Sequence, residues 1–180
     1  MAPKLLAVAG TNKSGKTTVA EQIISGLTRE GYRTGSIKHV HHPDFTINTK
    51  GTDTWRHTNT GSRIVVALPK NETALIIKNE LESTLPSILD FMTKEPLDTI
   101  VIEGLHSSLG QRTDIFKVVT ARDPEDLQER LHNRVPAIVA ISGTIAEKGF
   151  SLHNNNVPII NATTDSQKLV ESIENEMLRK

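Results

Sequence analysis

The sequence predicts an α/β fold in which a mostly parallel sheet is covered by helices on both faces. Short apolar runs recur along the chain, helical patterns separate several of them, and the first run leads through a glycine-bearing turn into a helix. Taken in order, Lys4–Ala9 is a short apolar run suited to a buried parallel strand. Ala20, Ile23, Ile24 and Leu27 then share one helical face, and Gly31 sits where that helix should stop. Strand-like runs follow at Thr34–Lys38, Ile64–Leu68, Ala74–Ile77, Thr99–Glu103, Ile115–Thr120 and Ala137–Ser142, with a short one at Val157–Ile160. Leu81, Leu85, Ile88, Leu89 and Met92 form a second helical stripe, with Ser83 as its cap and Pro86 in its first turn. Asp126–His132 predicts a short helix, and Asp165 is placed to cap a terminal helix carrying Leu169, Val170, Ile173 and Met177. Turn residues Pro69-Lys70-Asn71 suggest a hairpin across Val66–Ile77, which admits a partly mixed sheet.

The turn after the first strand carries the chemistry. Gly10 to Thr18 read G-T-N-K-S-G-K-T-T and fit G-x-x-x-x-G-K-[ST], the phosphate-binding loop of nucleotide triphosphatases. The fold expected is therefore the three-layer P-loop type, with residues 1–180 as a single nucleotide-binding domain. Free backbone N–H groups and the positive end of a helix dipole converge at such a turn. Gly10 and Gly15 permit backbone angles and a close approach that a side chain would obstruct. Asn12, Lys13 and Ser14 complete the loop. Lys16 supplies a mobile charge for the β- and γ-phosphates, the Thr17 hydroxyl can ligate Mg²⁺, and Thr18 can donate on the α-phosphate side. Lys13 is not the extra lysine of deviant loops, because that lysine stands five residues before the main one, where this chain has Thr11.

Formal net charge is zero over 180 residues, so nothing points to a nucleic-acid or membrane surface. There is no cysteine, which removes disulfides and thiolate metal sites and fits a reducing cytoplasm. Met1 leads straight into the first strand, which predicts no signal peptide, and no apolar run approaches the roughly 18 residues of a membrane span. The expectation is a cytoplasmic protein.

Ligands of parallel α/β sheets gather at the carboxyl ends of the strands. Of the two carboxylates flanking Thr99–Val101–Glu103, Asp98 and Glu103 lie roughly 16 Å apart along a strand rising about 3.3 Å per residue, so both cannot reach one Mg²⁺. Glu103 is at the carboxyl end and is assigned to Mg²⁺ or its water shell, and Asp98 to the opposite edge. His39, His41, His42 and Asp44 follow another strand end. They suit a metal such as zinc or nickel, a loop contacting phosphate, substrate or partner, or ordinary surface histidines. Asp53 and Arg56 share a helical face. They make either an internal salt bridge or a pair with Asp53 near Mg²⁺ and Arg56 near phosphate. Trp55 reads as core or interface, and Arg122, Arg130 and Arg134 as surface charges. There is no N-K-x-D. Ser142-Gly143-Thr144 and Asn161-Ala162 are the candidate base contacts, and guanine and adenine stay open.

Together these segments resemble the MobB family, the molybdopterin-guanine dinucleotide biosynthesis adaptors. The resemblance rests on G-T-N-K-S-G-K-T-T at Gly10–Thr18, I-K-H-V-H-H at Ile37–His42, G-T-D-T-W-R-H at Gly51–His57 with Gly61 after it, and I-V-I-E-G at Ile100–Gly104. Phe116-Lys117-Val118-Val119 resembles a later K-I-x-V strand of the family. The resemblance implies a weakly hydrolytic GTP-binding protein, a homodimer, that assists the guanylyltransferase attaching GMP to molybdopterin. It further implies that Lys16 and Thr17 serve the phosphates and Mg²⁺. Lys38, His39, His41 and His42, together with Asp53–His57, would face the nucleotide or a pterin phosphate. The chain departs from the family at Leu105-His106, where F-K is common, at Thr60-Gly61-Ser62 for A-G-A, and at Asn48 for an acidic residue.

The mechanism expected is positioning: Mg²⁺ on Thr17, with Glu103 or Asp53 in its shell, and Lys16 neutralising phosphate charge. Three rivals share the loop. They are an ATP-dependent small-molecule kinase, a nickel metallochaperone with His39, His41 and His42 as ligands, and a regulator whose nucleotide is structural.

Overall fold

The computed structural model describes residues 2–40, 42, 44–78, 81–105, 109, 111–132, 136–151 and 157–179, with the backbone alone at 81–84. These form two compact units, 1–39 with 92–180, and 40–91.

The first unit is built on a five-stranded sheet of order β2-β5-β1-β6-β7, with every neighbouring pair parallel. The strands are β1 (Lys4–Gly10), β2 (Thr34–Lys38), β5 (Thr99–Glu103), β6 (Phe116–Thr120) and β7 (Ile138–Ser142). The central strands are largely apolar on both faces, as a sheet covered twice requires, with Lys117 of β6 a fully buried exception. Val118 packs with Ile23 and Leu27 of α1 (Lys16–Arg29) and Leu169 and Ile173 of α6 (Ser166–Ile173). Its neighbour Val119 packs instead with Leu127 of α4 (Pro124–His132) and Ile145 of the short α5 (Thr144–Glu147). Successive residues of one strand thus feed opposite cores. Ile23 and Leu27 are fully buried, each worth about 2 kcal/mol of transfer free energy.

Helix α1 ends in a Schellman arrangement. Gly31 lies at φ +90° and donates to Thr28, while Tyr32 donates to Leu27. Asp165 stands at the N-cap of α6, but its side chain makes no capping bond; its Oδ2 accepts from Thr164 Oγ1 at 2.7 Å. Helix α6 runs on into a π-helical turn, Glu174–Leu178. Val157–Ile160 contributes only a single parallel bridge, Ile141 to Ile159, rather than a strand.

The second unit contains α2 (Asp53–Asn59) and the hairpin β3 (Ile64–Ala67) with β4 (Ala74–Ile77). The hairpin is a separate antiparallel sheet, so the five-stranded sheet stays parallel throughout. Asn48 is buried and ties this unit internally. Its Nδ2 donates to Thr58 Oγ1 and its Oδ1 accepts from Thr54 Oγ1, both at 2.9 Å. Helix α3 (Leu81–Thr93) starts two residues before Ser83, which is therefore not its cap. Pro86 is the sixth helical residue, beyond the first turn. The apolar stripe located this helix, but a stripe does not mark its first turn.

Among the described residues, no helix is long and apolar enough to cross a membrane.

Candidate functional site

The register of the parallel sheet builds the site. Val8 of β1 and Lys38 of β2 both lie opposite Glu103 of β5, and Gly10 lies opposite Thr120 of β6. Strand ends and the loop 10–18 therefore meet at the carboxyl edge.

The loop is held from below. Ser14 is fully buried, donates to the Thr11 carbonyl at 2.8 Å and shares a 2.7 Å hydrogen bond with Thr120 Oγ1. Two glycines answer to this crowding. A Cβ on Gly10 would stand 2.1 Å from Thr120 Oγ1, and one on Gly143 would stand 2.0 Å from the Ser14 carbonyl. Gly10 is therefore required by the neighbouring strand, a constraint the loop motif alone does not reveal. The Ser14 carbonyl accepts from Thr144 N at 3.2 Å, and the Lys13 carbonyl accepts from Thr144 Oγ1 at 3.4 Å. Lys13 itself adopts φ +63° and, like Asn12, is exposed. Gly15 caps α1 without a side chain, and no acidic residue stands in the first turn. The N–H groups of Lys16, Thr17 and Thr18 thus open a helix whose positive end has no side-chain cap.

Lys16 folds back to the Thr11 carbonyl. Burial lowers its pKa, opposed by the Glu103 carboxylate. Thr17 Oγ1 donates to Glu103 Oε1 at 2.7 Å. Lys38 Nζ donates to Thr17 Oγ1 at 3.1 Å and to Glu103 Oε1 and Oε2 at 3.1 and 2.9 Å. An ammonium and two oxygen-bearing side chains therefore converge beside the loop. The donor set suits Mg²⁺, a hard cation that takes a hydroxyl and a carboxylate and keeps several waters. A cation is already the partner these oxygens select.

Sequence reasoning missed the support behind the loop. Asp126 is 3 % exposed, and its Oδ2 accepts from Thr11 Oγ1 at 2.7 Å and from Arg122 N and Nε at 3.0 and 3.2 Å. Arg130 Nε stands 3.7 Å from Oδ1. Burial pushes the Asp126 carboxyl up, but the bonds from Thr11 and Arg122 outweigh it, and its pKa lies below the ordinary value. Asp123 caps α4 by accepting from Asp126 N at 2.8 Å, with Pro124 as first helical residue. Arg122 and Arg130 are thus not merely surface charges; they neutralise a buried acid. A carboxylate one residue before buried Leu127 on an amphipathic helix was the available signal.

His39 N donates to the Glu103 carbonyl at 3.0 Å, extending the β2–β5 pairing by one residue. His41, His106 and Arg134 lie outside the described residues. His42, Asp53 and Arg56 belong to the second unit, where Arg56 Nη1 and Asp53 Oδ1 are 3.5 Å apart, both exposed. Among the described residues, no group of three His, Asp or Glu could hold a metal ion. Ser142 Oγ is buried on the Ile160 carbonyl at 2.6 Å, and Asn161 Oδ1 accepts from Thr163 N at 3.0 Å. Both proposed base contacts spend those atoms on the backbone.

Comparison with known proteins bears on the family and the fold. The family model described as "Molybdopterin guanine dinucleotide synthesis protein B", MobB, matches residues 5–141. A molybdopterin-guanine dinucleotide biosynthesis adapter protein of Escherichia coli K12 is 32% identical over 130 residues, 68% of this chain and 71% of that protein. The crystal structure of Bacillus subtilis MobB aligns over 98% of this chain and 99% of its own, with TM-score 0.70 and 22% identity. A MobB homolog from Bacillus stearothermophilus aligns over 96% and 97%, with TM-score 0.63 and 20% identity. The two structures show that the fold is shared.

Proposed function

The chain belongs to the MobB family, and from that premise we propose that it is a GTP-binding, weakly GTP-hydrolysing adapter that assists attachment of GMP to molybdopterin. The observation that carries this reading is the convergence of Lys16, Thr17, Lys38 and Glu103 on the uncapped N-terminus of α1. Thr17 and Glu103 would hold Mg²⁺, which would supply charge neutralisation for the polyphosphate. Lys16 leaves the Thr11 carbonyl to meet phosphate oxygens, and the N–H groups of residues 15–18 bind the rest of the polyphosphate. Thr17, Lys38 and Glu103 are already spent on one another, and none of them is an unengaged base for activating water. The lack of an obvious general base beside the loop fits slow hydrolysis and an adapter role.

The partner in this reading is the molybdopterin guanylyltransferase, with the pterin phosphate as a further contact. The adapter acts as a homodimer. In the second unit, the hairpin pairs Ile64 with Ile77 and Val66 with Leu75, and Ile64, Val66, Leu68 and Leu75 are exposed along it. An apolar strip of this kind supports self-association. A light-scattering mass of one chain rather than two would remove the dimer from the reading.

The site is tested by titrating fluorescent GTP and ATP analogues in Mg²⁺ against wild type and Lys16→Ala. GTP is preferred, and Lys16→Ala weakens triphosphate binding by about 100-fold, the loss of a charge-assisted contact of about 3 kcal/mol. Equal binding by wild type and variant would sink the site, and preference for ATP would put a small-molecule kinase in its place.

A further inference from the structure

We propose that Lys38 is an internal cation that competes with Mg²⁺ for the oxygens of Thr17 and Glu103 and releases them when a triphosphate arrives to accept its ammonium. The inference rests on the nucleotide reading above and deepens it.

The hydrogen bonds fix who donates. The Thr17 hydroxyl gives its proton to Glu103 Oε1, so it can meet Lys38 only as an acceptor. Lys38 thereby donates to Thr17 Oγ1, Glu103 Oε1 and Glu103 Oε2. Those are the oxygens a divalent ion would need, and Mg²⁺ would need them at about 2.0–2.1 Å. Each oxygen keeps a second lone pair, but an ammonium hydrogen-bonded to the same three oxygens stands within a few ångströms of where the metal would sit, and the two cations repel at that separation. Occupation is therefore competitive.

The exchange is physically accessible. Glu103 is fixed, its side chain only 13% exposed, whereas the Lys38 side chain is 52% exposed on a flexible stem. A half-exposed lysine pair is weakly held. Displacing Lys38 leaves its charge in search of an anion, and the terminal phosphate arriving with the metal is that anion. A diphosphate lacks the γ-phosphate, and its chain of anions ends one phosphate short. The ammonium then returns to Glu103 and lowers the hold on the metal. Lys38 thus makes metal retention depend on the terminal phosphate.

The test is Mn²⁺ binding to the full chain without nucleotide, read by electron paramagnetic resonance, alongside triphosphate and diphosphate affinities. Wild type and Lys38→Arg bind free Mn²⁺ weakly. Lys38→Met binds it about tenfold tighter or more, because a competing charge has gone, and its preference for GTP over GDP shrinks. The gain disappears in Lys38→Met combined with Glu103→Gln. Equal Mn²⁺ affinity in wild type and a folded Lys38→Met chain would overturn the proposal. Should Lys38→Met fail to fold, Lys38→Gln is read by the same criteria. Failure of the underlying site looks different: Lys16→Ala and Glu103→Gln would then leave GTP binding intact.

Discussion

Strands β2 and β5 carry an acid–base pair at each end, and the two pairs differ in kind. At the amino end, Arg33 Nη2 meets Asp98 Oδ1 at 2.9 Å and Arg33 Nε meets Oδ2 at 3.1 Å, with Arg33 N adding a bond at 2.8 Å. At the carboxyl end, Lys38 meets Glu103 and Thr17. The same register sets both, since Thr34 lies opposite Thr99 and Lys38 opposite Glu103. Arginine is a rigid planar fork, and here it satisfies one carboxylate completely from side chain and backbone. Lysine is a point charge on a soft stem, shared with a hydroxyl of the phosphate-loop motif. One end is closed; the other is exchangeable. The side of the sheet that ends against loop 10–18 is the side on which exchange is useful.

The largest expected effect lies behind the exchangeable end. Asp126→Ala removes a buried carboxylate from Thr11, Arg122 and Arg130 together. Breaking such a site costs about 3 kcal/mol of stability, measurable as a lower midpoint in urea unfolding. Because Thr11 also receives Lys16 and Ser14 on its carbonyl, nucleotide affinity falls with it. A variant with unchanged midpoint would mean that the loop holds itself and the two ends differ less than supposed.

Glu103→Gln sharpens the contrast from within the site. It keeps shape but removes the charge facing Lys38 and Mg²⁺. Affinity for GTP in Mg²⁺ should drop by about 10- to 100-fold, the loss of a charge-assisted contact, with a thermal midpoint close to wild type. Intact affinity would make Glu103 a structural acid like Asp98, and the two ends equivalent.

Much of this was legible beforehand, for identifiable reasons. A strand buried on both faces is a nearly uniform apolar run, which is how Thr99–Glu103 is legible to the residue; the bounds of Thr34–Lys38 and Ala74–Ile77 also agree, although neither is buried on both faces. The loop motif couples glycine, lysine and threonine at fixed spacing, which placed Lys16 and Thr17 at the start of α1. Strand order was not legible, because parallel strands separated by helices leave no local mark of their neighbours. The pairing of Lys38 with Glu103 depends on β2 lying beside β5 rather than β1. The Asp126 clamp joins residues 115 apart in sequence. Ser142 and Asn161 stood out because polar residues follow strand ends; nearby backbone engages Ser142 Oγ and Asn161 Oδ1.

The smallest expected effect is at the closed end, and its sign follows from titration. The Arg33 guanidinium holds the Asp98 carboxyl down at about 2, from an ordinary 3.8. A carboxyl whose pKa is lower folded than unfolded stabilises the fold above its unfolded value, and that gain is lost as pH falls through the folded one. The contribution is therefore full above about pH 4 and gone near pH 2. Asp98→Asn should lower the midpoint slightly at neutral pH, as an exposed ion pair warrants, and leave GTP and Mn²⁺ binding at wild-type levels. Between pH 4 and 2 wild type should lose stability more steeply than the variant, the two curves converging at the acid end, followed by circular dichroism. Parallel curves would show that Asp98 is not the group titrating there. A change in nucleotide affinity would show instead that the closed end reaches the site through β5, and the separation of the two ends would fail.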